Sequence, residues 1–280
     1  MNATKYLGFA GLAAAGLFAT QAFATTCPIA PTGIQTQGGP VCIAPVGTDG
    51  TGTGLQDLLD GITKTGTTNN IDVYNGQTSP SAYWSIGATG SSENTKMFQI
   101  TANAGNINFG IFDPTDSSNY ISLFASGAGQ GWSTSLKNQG NGNYVITHFD
   151  ANGILVGSQD FAHFGANNLF GYYIQFGNTI YYSDPLLNNG SPHMVAIGGD
   201  GSTTLCITSQ SQCGLFQPGE FILAWEDGVW GQSDLDYNDF VVMVESVHPV
   251  PEPATLGMFG LGVLLIGAAV GFNRRRFDIG

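Results

Sequence analysis

The chain is 280 residues long, and seven Lys and Arg stand against twenty Asp and Glu, a formal net charge of −13. Between residues 25 and 250 the imbalance steepens: Lys64, Lys96 and Lys137 face eighteen carboxylates with no Arg, leaving −15. Such a surface repels nucleic acid and anionic lipid heads and attracts divalent cations, so nucleic-acid binding is excluded.

Residues 1–24 carry one positive charge at Lys5, an apolar run from Leu7 to Ala19, and then the small-x-small pattern Ala22-Phe23-Ala24. These are the n-region, h-region and cleavage site of a secretory signal peptide, cut by signal peptidase between Ala24 and Thr25. The apolar run is short for a membrane span. The remainder up to residue 250 suffices for one large all-β domain or two small ones. Residues 25–52 are rich in Gly, Pro and Thr and read as an extended arm stapled by cysteine. Cys27, Cys42, Cys206 and Cys213 form two locally spaced pairs in an oxidising compartment. This predicts disulfides 27–42 and 206–213, although four cysteines permit three pairings. Neither pair has the C-x-x-C spacing that zinc sites favour.

The β-domain is expected over residues 53–248. It opens with one short helix in "TGTGLQDLLDGI", where Leu55, Leu58, Leu59 and Ile62 recur at helical spacing and Thr53 with Gln56 gives a capping-box signature. From about residue 70 the pattern turns to strands: "IDVY", "SAYWSI", "KMFQI", "INFGIF" and "NYISLF". "NYVITHF-DANG-ILVGSQDF" reads as a hairpin, as do "LFGYYIQF" and "TIYYSD" joined through Gly177-Asn178. "HMVAIG", "TLCI", "EFILAWE" and "FVVMVE" complete the set. Many short strands with frequent turns indicate an all-β, antiparallel two-sheet sandwich, jelly-roll-like, carrying one short N-terminal helix.

No catalytic constellation accompanies these strands. The four histidines are scattered, and neither a G-x-S-x-G elbow nor a Gly-rich phosphate loop with a following Lys occurs. "GAGQG" at 127–131 lacks the strand–loop–helix setting of a dinucleotide site and reads as a turn. His193 reads as a strand-end histidine. A glycoside hydrolase needs only two facing carboxylates, and it is the minority alternative. Trp84, Trp132 and Trp230, with Tyr172, Tyr173, Tyr181 and Tyr182, offer material for a sugar-stacking platform. Neighbouring tyrosines point to opposite strand faces, so one of each pair is expected to face outward.

The densest polar chemistry lies in "AWEDGVWGQSDLDYNDFVVMV". Glu226, Asp227, Asp234, Asp236 and Asp239 put five carboxylates within fourteen residues, with no Lys or Arg among them. Asp234, Asp236 and Asn238 have the alternate-oxygen spacing of calcium-binding loops. An EF-hand is rejected, because Asp239 occupies the position that needs Gly and "FVVMV" reads as a strand. Three readings remain: a Ca2+ site in a β-hairpin loop, with Glu226 and Asp227 entering from the preceding strand, an Asx-rich turn, and, as the least favoured, a catalytic carboxylate cluster.

Residues 249–280 change character. Ala254 to Phe272 is free of charge and about 28 Å long as a helix, enough to cross a hydrocarbon core, and Arg274, Arg275 and Arg276 follow. The positive-inside rule keeps the arginines cytoplasmic and the domain outside. Pro251-Glu252-Pro253, the apolar span and the Arg cluster, in that order, resemble the PEP-CTERM sorting signal of Gram-negative bacteria. The resemblance implies export across the inner membrane, a transient anchor there, processing by an exosortase, and a final place at the cell surface or in the extracellular matrix. Residues 165–246, closing on Glu-Asp, a loop and Asp-x-Asp-Tyr-Asn-Asp, also resemble a β-rich family of unknown function in bacterial surface proteins. The function expected is that of a non-enzymatic surface or matrix protein associated with exopolysaccharide or biofilm structure. The alternative is a calcium-dependent carbohydrate-binding or adhesion module, with extracellular polysaccharide as partner.

Overall fold

Two faces of one central sheet are apolar, and this decides the architecture. The structure is a computed structural model that describes residues 41–44, 53–79, 81–87, 94–99 (backbone), 106–165, 168–209, 212–228 and 233–250. The expected signal peptide, Cys27, Trp230 and the tail beyond Val250, with its span 254–272, lie outside these residues. Among the described residues no helix is long and apolar enough to cross a membrane.

The elements are α1 (Leu55–Ile62), β1 (Tyr83–Ile86), β2 (Asn94–Gln99), β3 (Ile107–Asp113), β4 (Asp116–Phe124), β5 (Ser133–Gly140), β6 (Asn143–Phe149) and β7 (Leu155–His163). There follow β8 (Leu169–Phe176), β9 (Thr179–Tyr182), β10 (Met194–Gly198), β11 (Thr204–Ser209), β12 (Gln212–Leu215), β13 (Glu220–Trp225), β14 (Phe240–Glu245) and β15 (Val247–Val250). One sheet runs β15-β1-β8-β3-β4, with β9 also paired to β8; the other runs β10-β13-β14-β2-β5-β6-β7. The paired strands are antiparallel, and the two large sheets face each other across an aromatic core, so the fold is an all-β sandwich.

Side chains alternate across a strand, so β13 and β14 feed two cores at once. Phe221, Leu223 and Trp225, with Phe240, Val242 and Val244, enter the core between the sheets. There Phe109 stacks on Tyr172 (5.5 Å) and Phe240 (5.2 Å). Ile222, Ala224, Val241 and Met243 point the other way, into a second cluster with Leu55 and Leu59 of α1, Ile71, Val73, Leu205 and Phe216. The sandwich therefore carries a third layer, made of α1, the 71–73 turn and the β11–β12 hairpin, which the Cys206–Cys213 disulfide closes. Cys42 is disulfide-bonded too. Thr134 Oγ1 of β5 donates to the Leu123 carbonyl of β4 (2.7 Å), tying sheet to sheet.

Several expectations are corrected. The capping box is not made: α1 starts after Gly54 without a side-chain cap, and Gln56 instead bonds the Ile71 carbonyl (3.0 Å) and the Val73 amide (3.2 Å). "IDVY" is a turn, because the Asp72 carboxylate accepts from the amides of Tyr74 (2.9 Å) and Asn75 (3.1 Å) and bends the chain. Neither member of the two tyrosine pairs offers an open face. Tyr172 lies in the core, while Tyr173, on the other face of β8, is covered by Tyr120 at 5.0 Å. It lies over Gly110, where a Cβ would come within 2.6 Å of the tyrosine ring. Tyr181 is buried against His193, and Tyr182, half-buried, sits edge-on to Phe112.

Asp113, 2 % exposed at the end of β3, accepts from Thr115 N (2.8 Å), Thr115 Oγ1 (2.7 Å) and Gly165 N. Burial raises its pKa, but these donors outweigh burial and hold the carboxyl below its usual value. Stability from a lowered carboxyl is fully present above about pH 4 and is lost as pH falls through the folded value. Asp113→Asn is therefore expected to lose about 1–3 kcal/mol at pH 7. In urea titrations the gap to the natural protein narrows at pH 3.

Candidate functional site

The register of β13 against β14 ends at the pair Trp225 and Phe240, so the next residues, Glu226 and Asp239, meet at the mouth of the hairpin. β10 flanks the same end: the Glu226 amide donates to the His193 carbonyl (3.0 Å), and His193 Nδ1 donates back to the Glu226 carbonyl (2.9 Å). Burial lowers the His193 pKa, which favours the neutral imidazole.

The returning segment is drawn inward by alternate apolar residues. Leu235 and Tyr237 (4 % and 0 % exposed) plug into the second cluster, and the Tyr237 hydroxyl donates to the Pro192 carbonyl (2.9 Å). Both sit in the left-handed backbone region, with φ of 60° and 57°, which non-glycine residues rarely adopt. Their anchoring carries the intervening polar residues into the interior: Asp236, Asn238 and Asp239 are 0 %, 3 % and 7 % exposed. Asn238 Nδ2 donates to the Thr53 carbonyl just ahead of α1 and to Asp236 Oδ2. The Ala44 amide donates to the Leu235 carbonyl (2.7 Å), so the loop holds both the arm and the helix.

The five carboxylates converge into two groups that share Glu226. Oxygens of Glu226, Asp234 and Asp236 lie within 4.8 Å of one another, and so do those of Glu226, Asp227 and Asp239. The Asp227 amide donates to Asp239 Oδ2 (2.7 Å), the Gly228 amide to Glu226 Oε1 (3.1 Å), and the Leu235 amide to Ser233 Oγ (3.0 Å). A Cβ at Gly228 would approach Ser233 Cβ to 2.8 Å and Glu226 Oε1 to 2.9 Å, so only glycine lets the strand end close over the loop. Burial, and then the charge of Glu226, push the Asp239 carboxyl up to about 9. Burial first, and Asp234 among its neighbours, raise Glu226 likewise. Two buried polar atoms have no hydrogen-bond partner here, Glu226 Oε2 and Asn238 Oδ1.

All six residues expected as oxygen ligands are thus brought together. Sequence reasoning missed Ser233, Gly228 and the contact to Thr53; the Gly directly after Glu-Asp was the one available signal. Of the stacking candidates, Trp84 is fully buried with its ring 5.7 Å from Tyr172, so it presents no face to a sugar. Trp132 is half-buried against the core. A separate cleft of about 840 Å³ beside the β11–β12 hairpin is lined by Phe149, Asp150, Phe216, Glu220, Met243 and Glu245. Glu220 and Glu245 are direct register partners there.

An antiparallel β-sandwich bearing an acidic, interior hairpin end defines the class of molecule; its destination is written next to it. Residues 249–276 match the family model of the PEP-CTERM protein-sorting motif. The chain is therefore an exported protein with a C-terminal membrane-anchored sorting signal, and an exosortase processes it. Neither a curated protein nor a solved structure matches it.

Tyr237→Phe removes a buried donor from the Pro192 carbonyl and is expected to cost about 1 kcal/mol. Tyr237→Ala, which also empties the pocket, is expected to cost about 3–5 kcal/mol. Equilibrium unfolding in urea measures both.

Proposed function

We propose that the protein is a non-enzymatic component of the bacterial surface or extracellular matrix, built into exopolysaccharide-associated structure after its tail is processed. The observation that carries this is the position of the sorting motif. It begins at residue 249, inside β15, and so follows the sandwich with no intervening domain. β15 pairs with β1 along Tyr83 to Ile86, so the tail leaves from the edge of a sheet.

Burial supports a structural role over a catalytic one. Glu226, Asp236 and Asp239 are at most 7 % exposed, whereas a general acid or nucleophile must touch a substrate in a cleft. The enclosure of Trp84, Tyr172 and Tyr173 likewise favours core packing over sugar stacking.

The test is made in an exosortase-bearing, exopolysaccharide-producing host. Replacing Pro251, Glu252 and Pro253 together by Ala is expected to leave export intact. The protein is then expected to accumulate unprocessed in the membrane fraction, and the matrix to lose it. Unchanged processing and matrix content in the triple variant sinks the proposal, as does hydrolysis of the host polysaccharide by the purified protein.

A further inference from the structure

The acidic hairpin end concentrates negative charge, with five carboxylates in two groups that share Glu226. No Lys or Arg occurs between Lys137 and Arg274. Mutual repulsion among carboxylates grows as water is excluded. The Asn238 amide oxygen, on a residue 3 % exposed, has no hydrogen-bond partner.

We infer that this recess is a binding site for a hard divalent cation of the calcium class, with Glu226 as the shared ligand of its two carboxylate groups. Two observations carry the inference independently. The first is convergence: within each of the two triads, one carboxylate oxygen from every residue lies within 4.8 Å of the others. The second is the pair of unpartnered oxygens, Glu226 Oε2 and Asn238 Oδ1, each on a residue 3 % exposed at this hairpin end. A single kind of ligand answers both, since a cation neutralises the carboxylates and accepts the neutral amide oxygen as well. Calcium takes six to eight oxygens in irregular geometry, whereas magnesium demands a tight octahedron and keeps its waters. Five carboxylates and one amide oxygen within fourteen residues suit the former.

Occupation of the site would brace more than a turn. Asn238 is bonded to the Thr53 carbonyl, and Leu235 to the Ala44 amide. Both belong to the third layer, so an ion at the loop holds α1 and the 41–44 segment on the back of the sheet. Free calcium is scarce before export and abundant after it, and the site therefore completes the fold at its destination. This inference adds to the proposed function and does not depend on it.

The full chain, solubilised and stripped with EDTA, is melted with and without 10 mM CaCl2, and calcium binding is followed by titration calorimetry. For a Kd near about 10⁻⁴ M, the usual range for extracellular modules, calcium is expected to raise Tm by about 5–10 °C. Glu226→Gln is expected to lose the calorimetric signal and most of the shift. Glu220→Gln, at the far end of the same hairpin, keeps both. Because Glu226→Gln alters a buried residue, Asp234→Asn at a half-buried ligand serves as the second variant. It is expected to weaken binding about tenfold with the metal-free Tm unchanged. Superimposable EDTA and calcium melts of the natural chain overturn the site. So does an equal calcium shift in Glu226→Gln, or loss of the shift in Glu220→Gln. An equal response to 10 mM MgCl2 overturns the calcium-class assignment.

Discussion

Burial of β13 and β14 on both faces is the constraint on which the rest of the molecule depends. A strand half-exposed to water needs one apolar face, and one sandwich core would satisfy it. Here Phe221, Leu223 and Trp225 fill the space between the sheets while Ile222 and Ala224 fill the space behind. Without α1 and the 71–73 turn, the second face would stand in water. The short helix, marginal alone at eight residues, is therefore held by tertiary contact and not by propensity.

That double burial also explains the acidic end. A hairpin apolar on both faces has only its ends left for polar groups; Glu220 and Glu245 take one end of β13–β14, and the turn side receives the five crowded carboxylates. Leu235 and Tyr237 then pull the return segment under the sheet, so the carboxylates cannot spread into solvent as they would on an ordinary loop. Crowding is thus a product of the anchors, and the anchors are a product of the second core. Positive φ at two non-glycine residues is tolerated because packing on both sides over-determines them.

Much of this was legible in the chain, and the reasons for the rest are physical. Short runs of β-branched and aromatic residues marked β8, β10, β13 and β14, and Gly177-Asn178 marked the β8–β9 turn. β5, "STSLKNQG", was invisible because only Leu136 among its side chains is a large core apolar. β15, "VHPV", was hidden by a proline in mid-strand, which an edge strand accommodates. The tyrosine pairs obeyed the two-residue period, yet the face expected to be open was closed by Tyr120 and by the missing side chain of Gly110. Period assigns a side chain to a face and does not say what covers that face. For the acidic residues, spacing foretold their meeting; the depth to which Leu235 and Tyr237 sink them was not written in the spacing.

The sharing of residues 249 and 250 between the last strand and the sorting motif has a mechanical meaning. An ordinary anchored domain hangs on a tether, free to swivel at its own height. Here the last strand runs up to the motif: Val250 sits opposite Tyr83, and Pro251-Glu252-Pro253 come next in the sequence. Any cut beyond Pro253 leaves β15 itself in place in the sandwich. Tension applied to whatever is joined there would run straight along β15 into its hydrogen bonds with β1, which makes that short ladder the point where load enters the molecule.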